Sequence, residues 1–334
     1  MTLTWSSPRI RTSDLGGGVL LARLADNEHG IFGRDDAPEF IRLIEHADRD
    51  PAVRAVILTG SHPDRFISHA DLRWLQEDGA VIPPVPVTVT GLVSRAARLL
   101  GRWPLTRGIA RRTPMTGAIQ LDHLHRTLLR MTTSSTIFVA ALNGSALGLG
   151  AELSWACDLR LMADGEHFIG HPEVLLGFLP GAGGTQRMSR LVGAHRSALA
   201  ILEGRPLPAA EALDIGAIDG IVPADELIDV AADRARNLAA RTTDAIGAIK
   251  RAVHLGSAMP IEDGLQLERA EFLALLPRPA AQEIMLRYLR DTEENHELTL
   301  YQPGGYDAAL DHGRATPVAS EDGRHASETQ KVTR

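Results

Sequence analysis

Residues 143–187 read NGSALGLGAELSWACDLRLMADGEHFIGHPEVLLGFLPGAGGTQR. The apolar run before them, Thr136 to Asn143 (TIFVAALN), has the length and composition of a buried strand, and it enters a glycine-rich turn. Ala151 to Ala156 then reads as the start of a helix, and Leu159 to Ala163 as a further strand. Two glutamates stand in contrasting surroundings. Glu152 follows Gly148, Leu149 and Gly150 at an expected helix N-terminus, where free N–H groups and the helix dipole favour developing negative charge. Glu173 lies in GHPEVLLG, where Pro172 stiffens the backbone and Val174 to Leu176 are expected to form an apolar wall that favours the neutral acid. A proton donor and a proton acceptor facing one substrate need such a difference. The plainer readings are a helix-start carboxylate that meets only the dipole and a surface glutamate beside a proline.

Working outward toward the N-terminus, Gly18 to Ala25 and Ala52 to Gly60 (AVRAVILTG) are β-branched runs, and Glu39 to His46 between them has helical spacing. Directly after comes DRFISHADLRWL, Asp64 to Leu75. Ser68, His69 and Ala70 are predicted to make a tight turn into a helix that Asp71 begins, aiming backbone N–H groups outward. Two such turns, one before each helix, can converge on a single oxygen. Asp71 reads first as a helix-start carboxylate, and His69 either as a solvated turn residue or as a substrate contact or acid. Toward the C-terminus the signal is helical over Gly184 to Leu191, Ala194 to Glu203, Ala224 to Arg241 and Thr243 to Leu255, with a short strand at Ala217 to Val222. Ile261 to Leu276 and Ala280 to Glu294 have 3.6-residue periodicity and are separated by Pro277 and Pro279.

Strands alternating with helices imply an α/β core with mostly parallel pairing over residues 1–255. Residues 256–301 form a helical lid or oligomerisation region, and the polar stretch 302–334 has too little apolar surface to offset the entropy of ordering. An insertion at 79–121 stands apart: it carries Arg95, Arg98, Arg102, Arg107, Arg111 and Arg112 with no aspartate or glutamate. It reads as a solvated loop, a surface for CoA phosphates or an acyl carrier, or a membrane-surface helix around Arg95 to Trp103.

Composition narrows the function. A net charge of −7 argues against a surface that grips nucleic acid over its whole face. Cys157 alone cannot form an intrachain disulfide, and no Cys/His spacing suits structural zinc, so a reduced cytoplasm fits best. No signal-like or membrane-spanning apolar run occurs. Leu153 stands where a dinucleotide fingerprint needs its third glycine, and GAGGTQR lacks the Gly-Lys-Ser/Thr of a phosphate loop. Neither HExxH nor GxSxG occurs.

These motifs resemble those of the crotonase, or enoyl-CoA hydratase/isomerase, superfamily, from about Gly18 to Glu294 with the insertion excluded. FISHADL resembles the family's F-x-A-G-A-D-L, whose alanine before the aspartate, here Ala70, supplies one oxyanion N–H. ALGLGAEL resembles A-L-G-G-G-x-E-L, which places the second N–H on Leu149 and the first catalytic glutamate on Glu152. GHPEVLLG resembles G-x-P-E-x-x-L-G and gives the second, Glu173, and PGAGGTQR matches the family's continuation. The resemblance implies a crotonase-like α/β spiral of repeated ββα units with a C-terminal helical region, assembled as a homotrimer or hexamer. It implies a lyase of fatty acid metabolism, an enoyl-CoA hydratase adding water syn to a trans-2-enoyl-CoA to give a 3-hydroxyacyl-CoA. No metal is expected and no cofactor beyond the coenzyme A of the substrate. Ser68, His69, Asp71, Gly148 and Gly181 are the substrate-facing positions it suggests. A double-bond isomerase and a non-catalytic acyl-CoA or acyl-carrier-binding homologue are the alternatives. The chain departs from the pattern at His69 and Leu149, which replace glycines, although a backbone N–H survives any side chain except proline. It also lacks the family's R-P-x-x-x-N-A-L stretch, where DNEHGIFGRDDAPEF stands from Asp26. The insertion falls where relatives have a shorter loop bordering the acyl pocket, which implies an altered chain-length preference.

Overall fold

The computed structural model describes residues 3, 5–100 and 116–315. Its strands are β1 (Arg11–Asp14), β2 (Val19–Leu24), β3 (Ala55–Gly60), β4 (Arg65–Ile67), β5 (Ile137–Leu142), β6 (Ser145–Leu147), β7 (Leu159–Ala163), β8 (Phe168–Gly170), β9 (Leu207–Pro208) and β10 (Gly220–Val222). They form two sheets. The larger has the order β1-β2-β3-β5-β7-β10 and is parallel except where β1 meets β2. The smaller has the order β4-β6-β8-β9, with β4, β6 and β8 parallel.

The chain alternates between the sheets in a regular way. β3, β5 and β7 enter the large sheet, and the next strand in each case, β4, β6 or β8, enters the small one. Each pair is followed by a helical segment: Leu72–Ala80, Leu149–Ser154 and the single 3-10 turn Glu173–Leu176. This is a spiral of ββα units, as the family resemblance implied. The spiral therefore brings three strand-to-helix turns side by side at one edge of the small sheet.

Period-two alternation explains the burial. In β2, β3 and β5, Leu20, Ala22, Val56, Leu58, Phe138 and Ala140 face one core, while Val19, Leu21, Ala55, Ile57, Ile137 and Val139 face another. The first core is closed by the small sheet and by Phe40, Leu43 and Ile44 of the helix Asp36–Arg49. The second is closed by Ala231, Ala232, Ala235 and Ala239 of Leu227–Ala239, whose small side chains let the helix lie close to the sheet.

Successive spiral turns are nested through backbone. A β-carbon on Gly60 would lie 2.1 Å from the Arg65 carbonyl oxygen, and one on Gly144 2.0 Å from the Asp64 carbonyl. Asn143 bridges the same loops, accepting from the Gly60 N–H at 2.8 Å and donating to the His62 carbonyl at 2.6 Å. Further along, the buried Lys250 donates to Thr136 O and to Asp158, each at 2.8 Å, fastening the helix Thr243–Arg251 to the start of β5.

The C-terminal helices run over Ile261–Leu275 and Pro279–Asn295. Pro277 falls in the break, whereas Pro279 opens the second helix, where its missing N–H costs nothing. Neither helix buries a residue, and Ile261, Phe272, Leu273, Leu286 and Leu289 are exposed. The expectation of an unordered stretch from 302 needs correction for part of its length. Gly305–His312 is a helix, held where the Leu310 carbonyl accepts from Asn237 and Arg241. Residues 316–334 lie outside the described residues, as do Arg102, Arg107, Arg111 and Arg112 of the insertion. Within the insertion, Val87–Leu100 is helical and packs on the helix Thr116–Thr133.

Candidate active site

The three parallel strands of the small sheet end in the segments that the sequence singled out. β4 runs into Ser68–Asp71, β6 into Gly148 and the helix that carries Glu152, and β8 into His171–Glu173. The first two turns are in van der Waals contact. A β-carbon on Gly150 would sit 2.4 Å from the Ile67 carbonyl oxygen, and one on Gly148 3.7 Å from His69 Cβ. Gly148 has φ +53°, a conformation that other residues adopt only with strain, and a side chain there would meet Glu173 Oε1 at 3.1 Å.

Among the described residues, neither oxyanion candidate's backbone N–H has a hydrogen-bond partner. Phe32 donates to His69 O at 3.0 Å and accepts from the Asp71 N–H at 2.9 Å. In this parallel bridge the N–H of Ala70 points away from Phe32. Leu149 is the first residue of its helix, so its N–H has no partner within the helix. The leucine side chain is itself buried in the core, so replacing glycine here adds packing without removing the donor.

Glu152 is 2% exposed, and its Oε1 accepts from the N–H groups of Ala182 at 2.7 Å and Gly184 at 2.8 Å. The helix terminus that serves this carboxylate is therefore that of Gly184–Val192, not the one on which Glu152 sits. Burial pushes the Glu152 carboxyl up to about 6. His171 and the two N–H groups pull the other way, and the neighbouring Glu173 adds to the rise.

Glu173 is 7% exposed. Its Oε1 lies 3.3 Å from His171 Nδ1, and among the described residues its buried Oε2 has no hydrogen-bond partner. The apolar wall expected from Val174 to Leu176 is not what encloses it. Those three side chains are exposed, with Val174 and Leu175 packed toward Gly204. A 3-10 turn carries only its first residue, Glu173, inward. His171 and the Gly148 turn surround the carboxyl instead.

His171 escaped the sequence reading. It is buried, packs edge-on against Trp155 with ring centroids 5.0 Å apart, and has an Nε2 without a partner among the described residues. A β-carbon on Gly184 would lie 2.1 Å from that Nε2, so the glycine makes room for the ring. A titratable residue two positions before a candidate acid was the available signal.

The remaining candidates divide. Ser68 Oγ donates to the His29 carbonyl, fixing the loop before the first helix. His69 Nδ1 donates to the Ala70 carbonyl at 2.7 Å. Asp71 caps Leu72–Ala80 by accepting from the Arg73 N–H at 2.9 Å, in keeping with its plainer reading. The Gly181 carbonyl accepts from His125 Nε2 at 2.7 Å, a contact from the helix Thr116–Thr133 that no local pattern announces. A cavity of about 330 Å³, lined by Arg54, Arg241, Thr243, Glu283 and Arg287 among others, includes none of these residues.

The raised Glu152 pKa has a stability consequence. Between about 4.5, its ordinary value, and about 6, the folded chain holds a proton that the unfolded chain has released. Stability should therefore fall as pH rises through this window, by about 2 kcal/mol in total. In Glu152→Gln that loss should disappear, so urea unfolding of the two proteins at the two ends of the window should differ by this amount.

Similar proteins agree with the geometry. A sequence profile described as Enoyl-CoA hydratase/isomerase matches residues 107–297. A short-chain-enoyl-CoA hydratase of Clostridium acetobutylicum is 30% identical over 238 residues, covering 71% of this chain and 78% of that protein. An enoyl-CoA isomerase/hydratase of Mycosarcoma maydis is 40% identical over 138 residues, 41% of this chain and half of that protein. Among solved structures, an enoyl-CoA hydratase of Geobacillus kaustophilus superposes with a TM-score of 0.71 at 26% identity, covering 87% of this chain and 97% of that one. By motif, fold and descent, the chain belongs to the enoyl-CoA hydratase/isomerase family of the crotonase superfamily.

Proposed function

We propose that the protein hydrates a trans-2-enoyl-CoA to the 3-hydroxyacyl-CoA. One observation carries this reading: two buried carboxylates, Glu152 and Glu173, come from adjacent strand ends of one sheet and flank the amide-bearing turns at Ala70 and Leu149. The thioester oxygen accepts from those two N–H groups, which stabilises the enolate-like transition state. A donor in such a hole is typically worth about 3 kcal/mol. Glu152 takes a proton from water as the oxygen bonds to the β carbon, and Glu173 delivers a proton to the α carbon. Its Oε2, free of protein partners among the described residues, suits an exchange with water or substrate. The overall addition is redox-neutral, so the scheme calls on no cofactor beyond the coenzyme A of the substrate.

A panel of trans-2-enoyl-CoA thioesters tests the proposal. Incubation with the purified protein should bleach the conjugated-thioester absorbance and add the mass of one water. A panel in which no member gains water, while 3-enoyl-CoA is converted to the conjugated isomer, would replace this reading with isomerisation. The name of the Mycosarcoma maydis relative, which includes both activities, makes that comparison necessary. Isomerisation needs only one carboxylate to shuttle a proton, and the burial of two favours hydration.

A further inference from the structure

The insertion is strongly cationic in a chain of net charge −7. From residue 79 to 121 it has six arginines and no carboxylate. The helix Val87–Leu100 displays part of this stretch. Ala97 is fully buried against Ile119 and Ala118 of the neighbouring helix, which fixes the inward face. At 100° per residue, Leu92, Arg95 and Leu99 lie on the opposite face. Leu92 is 64% exposed and Leu99 61%, and Val87 at the start of the helix is 83% exposed. Among the described residues no carboxylate pairs with Arg95 or Arg98. Arg126 on the neighbouring helix, by contrast, is paired with Asp122 at 2.8 Å.

We propose that the helix Val87–Leu100 is a peripheral docking surface for an anionic phospholipid bilayer. Its arginines meet the lipid phosphates, and Leu92 and Leu99 enter the boundary between headgroups and acyl chains. Charge complementarity selects an anionic partner, because a patch without counter-charge stands out from an otherwise acidic molecule. The leucines choose between anionic partners. A hydrated acidic protein surface gives side chains flanking an arginine no apolar medium, whereas a bilayer interface accepts both on one helix face. No described helix is long and apolar enough to cross a membrane, so the contact is one of lying on the surface. This inference does not depend on the hydratase reading, since no proposed catalytic group lies on the helix.

Sedimentation of the full chain with vesicles provides the test. Vesicles rich in phosphatidylglycerol should retain the protein at least about tenfold better than pure phosphatidylcholine, and added salt should release it. Arg95→Gln with Arg98→Gln should weaken retention by about 25-fold, near fivefold for each lost charge. Leu92→Ser with Leu99→Ser, which leaves charge unchanged, should weaken it at least about tenfold. All four residues are exposed, and turnover without vesicles should match the parent protein in both variants. No retention on phosphatidylglycerol at low salt, or equal retention of parent and variants, would overturn the proposal. So would tight binding of an acyl carrier protein in place of vesicles, or self-association abolished by the leucine changes without vesicle binding.

Discussion

On the proposed mechanism, Glu173→Gln should lower hydration of a trans-2-enoyl-CoA by about 10²- to 10⁴-fold and Glu152→Gln by a similar factor, with the fold expected to stay intact in both. The amide retains the size and acceptor oxygen of each carboxyl. Glu152→Gln can still accept from the N–H groups of Ala182 and Gly184, so the loss falls on proton transfer. The effect should appear in kcat, because neither change removes an amide from the oxyanion turns. Because the proposed mechanism uses both side chains in one addition, the double variant should be little slower than the worse single one. The rate of the parent protein should also rise with pH through about 6, as Glu152 loses its proton and becomes a base. Steady-state kinetics of the three variants decide the matter. Either single variant turning over within about tenfold of the parent removes that residue from the mechanism. Isomerisation of 3-enoyl-CoA retained in Glu152→Gln and lost in Glu173→Gln would point to the one-carboxylate reaction.

Gly150→Ala should be comparably damaging although it touches no reacting atom. Its new methyl would lie 2.4 Å from the Ile67 carbonyl oxygen and 3.0 Å from Ile67 Cβ, so the backbone of one turn must move away from the other. Ile67 leads directly into the turn that presents the Ala70 N–H, and Gly150 follows Leu149. Separating them should misalign one of the proposed oxyanion donors, at a cost of about 10²- to 10³-fold in kcat. Overpacking adds about 1 to 3 kcal/mol of instability. Gly91→Ala is the matched control: nothing lies within 4 Å of its built β-carbon, and it should leave turnover unchanged. Equal turnover in the two variants would show that apposition of the turns does not matter to catalysis.

The large sheet was legible in the sequence because β2, β3, β5 and β7 are runs of buried apolar residues between helices of recognisable period. The small sheet was not. Its strands read RFI, SAL, FIG and LP, too short for any alternation to register, and they exist because the spiral sets them beside one another. Local motifs located both glutamates, and the environments were where the reading failed. The amides that Glu152 meets are 30 and 32 residues away in the chain, so only the folded helix Gly184–Val192 reveals them. VLL after Glu173 looks like core from composition, yet a single 3-10 turn carries it to the surface. Asp71 takes the helix-start role that was its first reading, accepting from the Arg73 N–H as short polar side chains in turns often do, while Ser68, suggested as substrate-facing, donates to the His29 carbonyl 39 residues away.

The small sheet also acts as a ruler. Glu152 and Glu173 lie shortly beyond the ends of β6 and β8, which are hydrogen-bonded neighbours, so the two backbones leave the sheet about 4.8 Å apart, the repeat between any two paired strands. Loop sequence can drift without stretching that starting interval, because the strand pairing sets it before either turn begins. Chemistry on this scaffold can consequently diversify by exchanging which functional group follows each strand, while the sheet keeps the starting points in register.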